Sequence, residues 1–200
     1  MRINSAVFDI SAPTLAACPE SELPEFAFIG RSNVGKSSML NMLTGKPDLA
    51  KVSSTPGHTK LINFFTMNKT WRMVDLPGYG YAKVAKEDRR RFNESVAEYL
   101  AGRTNLRCIF VLIDSRLTPQ QIDLEFISWL EELSLPYVLV FTKADKLKSK
   151  EVEQNMEKFK IALFEVCQKQ PRAFVTSSKT RTGQQDILHF VADQLKQKQA

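Results

Sequence analysis

Short apolar runs alternate with segments of helical periodicity along most of the chain. Two runs separated only by Asn68-Lys69 predict an antiparallel hairpin. The remaining strands and the helices follow from continuous apolar runs and from apolar residues spaced three or four apart. The predicted strands are 3–10, 25–30, 60–67, 70–76, 108–114, 136–142 and 173–177, and the predicted helices are 36–45, 87–102, 119–133, 150–169 and 183–197.

Several of these strands consist almost entirely of Val, Ile, Leu and Phe, which is typical of parallel sheets covered on both faces. Together with the alternation of strands and helices, this predicts a doubly wound α/β fold. In the helix 119–133, the pattern places Ile122, Phe126, Trp129 and Leu130 inward. At the end of the helix 36–45, Gly45 is placed as a C-cap.

The segment GRSNVGKS at 30–37 joins a predicted strand to a predicted helix and fits the pattern G-x-x-x-x-G-K-[ST]. Gly30 and Gly35 allow the backbone to turn tightly, so that successive N–H groups face a phosphate. Lys36 can reach the β- and γ-phosphates, and the Ser37 hydroxyl can ligate Mg²⁺. The segment therefore predicts a phosphate loop.

Two later segments supply candidates for the metal and the γ-phosphate. VDLPG at 74–78 ends a strand, so Asp75 is placed to hold Mg²⁺ through a water and Gly78 to offer its N–H to the γ-phosphate. In SSTPGHTK at 53–60, a threonine can close over Mg²⁺ when the γ-phosphate is present. Thr59 is favoured because it leads directly into the next strand, and Thr55 is the alternative. His58 is expected to be an exposed loop residue.

The segment TKAD at 142–145 predicts that the base is guanine. An ionised Asp145 accepts hydrogen bonds only, and guanine offers it N1–H and N2–H₂ together, whereas adenine offers neither on that edge. The Lys143 stem can cover the ring. After the last strand, SSK at 177–179 places the Ser178 N–H towards guanine O6 and Lys179 against the ring. All these segments follow strands, where open α/β sheets bind ligands.

Tyr79 follows Gly78, where a Ras-like pattern has a glutamine that orients water. A phenol is a poor substitute, so slow intrinsic hydrolysis is predicted, driven by Mg²⁺, Lys36 and backbone amides. The direction of Arg31 is open, and no arginine finger is assigned. GTP is expected to order residues 46–60 and 76–90, and GDP to release them.

The segments GRSNVGKSS, SSTPGHT, VDLPGYGYAKV, LIDSR, TKAD and SSK together resemble the EngB (YihA/YsxC) family of bacterial GTP-binding proteins. The resemblance implies a P-loop GTPase fold of the translation-factor (TRAFAC) class, with a mostly parallel six-stranded sheet, one antiparallel strand and helices on both faces. It implies GTP hydrolysis and a switch role in large ribosomal subunit assembly, with a link to cell division and septation. It also implies a cytoplasmic monomer, with residues 1–22 as an N-terminal extension packed on a single GTPase domain at 23–200.

The resemblance and the motifs together define the expected site. The ligands are GTP or GDP and Mg²⁺, and the resemblance adds a K⁺ ion at Asn33, with a merely loop-shaping asparagine as the alternative. Metal ligands are Ser37, Thr59 and Asp75, and the groups expected to act in hydrolysis are Lys36, Thr59 and Gly78. The predicted nucleotide contacts are Gly30, Arg31, Ser32, Asn33, Val34, Gly35, Lys36, Ser37, Ser38, Gly57, His58, Thr59, Lys60, Leu61, Asp75, Leu76, Pro77, Gly78, Thr142, Lys143, Ala144, Asp145, Ser177, Ser178 and Lys179.

Composition adds a location for the positive charge. The 200 residues carry a formal net charge of +6, and residues 31–107 hold 14 basic against 6 acidic residues, a local excess of +8. This excess coincides with the phosphate loop, with the two candidate switches (the segments 46–60 and 76–90 that GTP is expected to order) and with Arg89, Arg90 and Arg91. The charge favours a polyanionic partner, which the family resemblance implies is ribosomal RNA. A solvated basic face is the alternative.

The remaining bulk features set the expected compartment. No apolar run approaches the ~20 residues of a membrane span, and the first 20 residues do not resemble a secretory signal. The three cysteines fit neither a disulfide framework nor a zinc site, so reduced thiols in the cytoplasm are expected. Two other functions remain in competition: a guanine-nucleotide-binding interaction module that acts outside the ribosome, and a small-molecule kinase or ATPase on the same phosphate loop.

Overall fold

The computed structural model of the protein describes residues 1–50, 61–79 and 86–197, and in the helix that begins at Lys86 it describes side chains from Glu94 onward. The strands are β1 (Ala6–Ala12), β2 (Glu25–Gly30), β3 (Ile62–Met67), β4 (Trp71–Asp75), β5 (Leu106–Asp114), β6 (Tyr137–Thr142) and β7 (Ala173–Val175). The helices are α1 (Lys36–Thr44), α2 (Lys86–Gly102), α3 (Gln121–Glu132), α4 (Ser149–Cys167) and α5 (Gln184–Lys196).

The strands form one sheet in the order β1-β3-β4-β2-β5-β6-β7. Strand β3 is antiparallel to both of its neighbours, and the other pairs are parallel, so the expected mixed sheet with one reversed strand is confirmed. The sheet has seven strands rather than six. The additional strand is β1, which extends the sheet beyond the β3–β4 hairpin by pairing Ala6 with Met67 and Ala12 with Ile62.

Each face of the sheet is covered by its own apolar core, as the doubly wound pattern requires. Alternate residues of β2 point to opposite faces, and Phe28 and Ile29 belong to different clusters. Leu40 of α1 and Ile187 of α5 lie in the cluster of Phe28, whereas Ile127 of α3 and Leu163 of α4 lie in that of Ile29. The central strands are therefore buried on both sides, which explains their continuous apolar sequences.

Helix α1 ends as the sequence predicts, because Gly45 adopts a left-handed φ of 69° and its N–H donates to the Met42 carbonyl. The inward face predicted for α3 is wrong at Ile122, which is 36% exposed. The buried positions of this helix are Asp123, Leu124, Ile127 and Leu130. The carboxylate of Asp123 lies on the inner face of the helix. Because the sequence pattern takes only apolar residues as inward, it leaves out Asp123 and includes Ile122.

A second buried carboxylate fixes the start of β2, the strand that leads into the phosphate loop. Glu25 is fully buried and accepts hydrogen bonds from the Tyr99 hydroxyl at 2.8 Å and from Arg103 Nε and Nη2 at 2.9 and 2.7 Å. Arg103 Nη2 also donates to the Pro19 carbonyl at 2.7 Å. The ion pair therefore ties the segment before β2 to the end of α2.

The three cysteines are free thiols. Among the helices of the described residues, none combines the length and the apolarity that crossing a bilayer demands.

We expect Glu25→Ala to lower the free energy of unfolding by about 3–5 kcal/mol, because it leaves Arg103 as a largely buried charge without its partner. Urea titration of the free energy measures this. Glu22→Ala, which removes an exposed carboxylate three residues earlier, is the matched control and should change it by about 0.5 kcal/mol or less. Equal effects of the two variants would contradict a stabilising role for the buried pair.

Candidate functional site

The phosphate loop lies between β2 and α1, and its turn depends on two glycines. A Cβ atom on Gly30 would lie 2.8 Å from the Leu112 carbonyl oxygen, so the loop passes too close to β5 for a side chain. Gly35 has a φ of 102°, which an L side chain rarely adopts. Asn33 is also left-handed, with a φ of 64°. Alternating left-handed and ordinary residues form a concave row of N–H groups, the backbone geometry that holds an anion.

The loop is held from behind by the segment TKAD. The Thr142 hydroxyl donates to the Val34 carbonyl at 2.7 Å, and Lys143 Nζ donates to the Asn33 carbonyl at 2.6 Å. These bonds satisfy two carbonyl groups on the side of the loop that faces away from the N–H row. Two segments more than a hundred residues apart in the sequence are thereby joined, as expected of segments predicted to bind one nucleotide.

The lysine predicted to bind the phosphates and the aspartate predicted to bind the metal are in contact. Asp75 ends β4 and Lys36 begins α1, and the Lys36 ammonium forms an ion pair with the Asp75 carboxylate. Both side chains are largely buried, and Ser37 and Ser38 follow on the first turn of α1, half-buried. A hydroxyl and a carboxylate are hard oxygen ligands suited to Mg²⁺, so the donor set and the glycine-lined cradle fit a magnesium–nucleotide complex.

The segment DLPG packs directly on the phosphate loop. A Cβ atom on Gly78 would lie 2.7 Å from the Gly30 carbonyl oxygen and 3.4 Å from the Ser32 nitrogen. The next residue, Tyr79, pairs with Arg31 in a parallel backbone bridge. Leu76 and Pro77 are buried. Gly78 therefore lies where its peptide can contact an anion held by the loop.

The side chain of Tyr79 turns away from the loop into the core on the side of α3. Its ring stacks on Phe126 with 4.5 Å between the ring centroids, and its hydroxyl donates to Asp123 Oδ1 at 2.9 Å. Burial, followed by the neighbouring Asp123 carboxylate, raises the pKa of the Tyr79 phenol well above its usual range. The hydroxyl is thus a neutral donor bonded to Asp123, which agrees with the inference that Tyr79 does not replace a water-orienting glutamine.

Asp123 is a residue that sequence reasoning missed. It is 1% exposed, and its other oxygen, Oδ2, accepts a hydrogen bond from Arg31 Nε at 3.2 Å. This settles the direction of Arg31, which the sequence leaves open: the guanidinium points towards α3. The sequence feature that could have identified Asp123 is its position beside Leu124, on the inner face of a predicted helix.

At the base end of the site, Asp145 lies in the short 3-10 turn Ala144–Lys146 that follows β6. The Ser177 hydroxyl donates to Asp145 Oδ1 at 2.7 Å, and the Ala144 N–H donates to the Thr176 carbonyl at 3.1 Å. The hydrogen bond from Ser177 lowers the pKa of Asp145, so this carboxyl is ionised at neutral pH. TKAD and SSK are therefore brought together, while Ser178 and Lys179 are exposed beside them.

Like Asp123, Asp114 is a residue for which the sequence predicted no role, and it holds Lys143. Asp114, the last residue of β5, accepts hydrogen bonds from Lys143 Nζ at 2.8 Å and from Arg116 Nη2 at 2.7 Å. Burial alone would raise the pKa of Asp114, but the bonds from Arg116 and Lys143 outweigh it and lower the pKa to about 2. Asp114 stays charged and keeps the Lys143 stem extended past the phosphate loop, where its Cε lies 3.7 Å from the Cβ position of Gly35.

Part of the predicted site lies outside the described residues. This applies to the contacts predicted at Gly57, His58, Thr59 and Lys60, including the predicted metal ligand Thr59, and to the alternative Thr55. The neighbouring Leu61 is described, and its side chain is 39% exposed.

Comparison with known proteins agrees with this geometry. A family model described as a 50S ribosome-binding GTPase matches residues 25–143. A probable GTP-binding protein EngB from Christiangramia forsetii is 50% identical over 191 residues, which cover 96% of each chain. A crystal structure of a probable GTP-binding protein EngB superposes with a TM-score of 0.67 at 25% identity and covers 87% of this chain and 100% of its own.

A more distant neighbour shows the same fold. The structure of Era in complex with MgGDPNP and nucleotides 1506–1542 of 16S ribosomal RNA has a TM-score of 0.68 at 19% identity, covering 90% of this chain and 59% of Era. The family match spans more than half of this chain, and the EngB relative matches it nearly end to end. The protein therefore belongs to the EngB family of GTP-binding proteins, GTPases of the ribosome-binding type.

Proposed function

We propose that the protein is a guanine-nucleotide switch that acts in assembly of the large ribosomal subunit and is thereby needed for growth, cell division and septation. The observation that carries the nucleotide part is the bonding of Thr142 and Lys143 to the carbonyls of the phosphate loop. These bonds link the phosphate loop to the segment that carries Asp145, two residues after Lys143, and so support one ligand that reaches both. A GTP molecule has a purine edge and a triphosphate to fill both places.

The proposed contacts divide the nucleotide among the segments described above. Residues 30–38 bind the phosphates, Lys143 and Lys179 cover the base, and Asp145 reads its edge. Mg²⁺, when bound, would neutralise phosphate charge, held by Ser37, Thr59 and, through a water, Asp75. The K⁺ ion at Asn33 stays a prediction of the family resemblance.

In hydrolysis, the chain supplies electrostatic stabilisation rather than a general base. The Lys36 ammonium and the Gly78 N–H would stabilise charge on the γ-phosphate, and Thr59 would close over the metal. The Tyr79 hydroxyl is bonded to Asp123, so residue 79 has no free group with which to orient water. The intrinsic rate is therefore slow.

Single-turnover hydrolysis by the purified protein tests the rate. We expect a rate constant far below ~1 s⁻¹, since unassisted hydrolysis in a GTPase without an arginine finger is orders of magnitude slower than this. Lys36→Ala, which lacks the phosphate-loop ammonium, gives the background. A turnover well above ~1 s⁻¹ in the absence of a partner would show that a catalytic group has been overlooked.

Asp145→Asn tests the choice of base. The amide oxygen still accepts from Ser177 or from guanine N1–H, but the amide NH₂ would face guanine N2–H₂, donor against donor. We expect GTP affinity to fall by about 100-fold or more, and binding of xanthosine triphosphate to appear, since xanthine has a carbonyl in place of the amino group.

Competition titrations against labelled GDP measure both effects. Asp186→Asn, an exposed acid on α5, is the control and should leave GTP affinity unchanged. ATP that displaces GDP as well as GTP does would favour the kinase or ATPase alternative and reject a guanine site.

The ribosomal part of the proposal is supported by the family description and by the charge of the chain. Residues 31–107 carry an excess of +8, and only part of this is used by the nucleotide. Era, which shares the fold, is seen with ribosomal RNA. We propose that a basic surface beside the candidate switches contacts rRNA. We further propose that the protein is a cytoplasmic monomer, with residues 1–22 as an extension of the GTPase domain.

Sedimentation of cell extract separates this role from that of an interaction module outside the ribosome. We expect the protein to migrate with large subunits in a non-hydrolysable GTP analogue and to leave them in GDP. A protein that stays at the top of the gradient in both nucleotides would reject the ribosomal role.

Charge reversal locates the surface. Replacing Arg89, Arg90 and Arg91 by Glu should weaken subunit binding and flatten its dependence on salt, because fewer phosphate counterions are released. Reversal of Lys150, Lys158 and Lys160 on α4 makes the same change in net charge and is the matched control. An equal effect of the two triple variants would show that net charge acts without a defined site.

A further inference from the structure

The carboxylate of Asp123 joins the phosphate loop to the residue after Gly78. One oxygen accepts from the Tyr79 hydroxyl at 2.9 Å and the other from Arg31 Nε at 3.2 Å. Arg31 directly follows Gly30, and Tyr79 directly follows Gly78. Asp123 therefore holds Arg31 and Tyr79, the two residues that follow the closely packed glycines.

The backbone repeats this connection. Arg31 and Tyr79 form a parallel bridge, and the Gly78 Cα lies so close to the Gly30 carbonyl that a Cβ atom would be 2.7 Å from it. Tyr79 is in addition stacked on Phe126, which is also on α3. The position of the Gly78 peptide is thus determined by one ring contact, one hydroxyl bond and one ion pair, all made to α3.

Burial gives this cluster its strength. Asp123 is 1% exposed and Tyr79 is 7% exposed, so each loses its hydration and has to be satisfied within the protein. The pKa of the Asp123 carboxyl is raised by burial, against the lowering effect of Arg31 and of the Tyr79 hydroxyl. Removal of the carboxylate would leave the phenol and the guanidinium without these bonds, and each would gain conformations that displace Gly78.

We propose that Asp123 is a positioning residue that holds the Gly78 peptide in place for the γ-phosphate, and so favours GTP over GDP. The inference rests on the proposed contact between the Gly78 N–H and the γ-phosphate. A donor that is held in place before the ligand arrives loses little entropy on binding. GDP has no γ-phosphate, so its affinity does not depend on this donor.

The test is a pair of dissociation constants, for GDP and for a non-hydrolysable GTP analogue, each measured with Mg²⁺ on the full chain. Asp123→Ala should weaken the analogue by about 10-fold, within the usual range for coupled sites, and leave GDP within about 2-fold. Loss of folded protein would lower both affinities or the active fraction, so the ratio of the two constants separates positioning from a structural defect.

Two further variants grade the effect. Tyr79→Phe keeps the ring stack and removes only the hydroxyl, and should reduce the preference for the analogue by a smaller factor. Asp123→Asn can still accept from Tyr79 but places an amide NH₂ towards Arg31, and should fall between the wild type and Asp123→Ala. Glu125→Ala, an exposed acid two residues along the same helix, is the matched control and should leave the ratio unchanged.

Gly78→Ala separates failure of the inference from failure of the contact on which it rests. A loss of analogue preference in both Gly78→Ala and Asp123→Ala supports the proposal. A loss in Gly78→Ala alone overturns the role of Asp123 and leaves the γ-phosphate contact standing. No loss in either variant overturns the contact, and the inference with it. Faster hydrolysis in Asp123→Ala at an unchanged ratio would also overturn it, because the carboxylate would then act by holding Arg31 away from the phosphate.

Discussion

A loop that directs its N–H groups at a phosphate turns its carbonyl groups the other way, where they need hydrogen-bond partners of their own. In this protein those partners are the Thr142 hydroxyl and the Lys143 ammonium, which donate hydrogen bonds to the carbonyl groups of Val34 and Asn33. The consequence reaches beyond the loop. Since the same two residues lead into Asp145, these bonds also set the distance between the phosphate loop and Asp145, the residue proposed to bind the base. Asp114 then fixes the direction of Lys143.

The parallel sheet makes this arrangement possible. Strands β2, β4, β5 and β6 run in one direction, so the segments that follow them emerge at one edge. Within that edge, β4 lies on one side of β2 and β5 on the other, which places Asp75 beside Lys36 and Asp114 beside Lys143. Lys36 and Lys143 are thus each paired with an acid that ends a strand of this sheet, and a bound nucleotide would have to exchange or share these partners.

The sequence was sufficient for the features that depend on local pattern. Helix α1 and its Gly45 cap, the β3–β4 hairpin and the order of the motifs were all predictable, because spacing and turn chemistry act over a few residues. Pairings between distant residues were not. Periodicity carries no sign that Asp114 bonds to Lys143 or Asp123 to Tyr79. On the inner face of α3 it was wrong at one position, because it placed the apolar Ile122 inward and left out the buried Asp123. Strand β1 was visible as an apolar run, but its place in the sheet depends on the edge that β3 leaves open.

Asp123 and Glu25 are buried acids with similar partners but different roles, one proposed to position Gly78 and the other stabilising the core. Both are acids buried in the core, and both accept hydrogen bonds from one arginine and one tyrosine. Glu25, through Arg103, joins the segment before β2 to the end of α2, so its cost of burial is offset by bonds within the core. Asp123 holds Arg31 and Tyr79, which adjoin the phosphate loop and the proposed γ-phosphate contact. Movement of Gly78 would have to disturb three contacts of the adjoining Tyr79: its hydroxyl bond to Asp123, its stack on Phe126 and its backbone bridge to Arg31. Contacts of that kind favour two distinct positions over a continuous range, which is what a nucleotide-dependent switch needs.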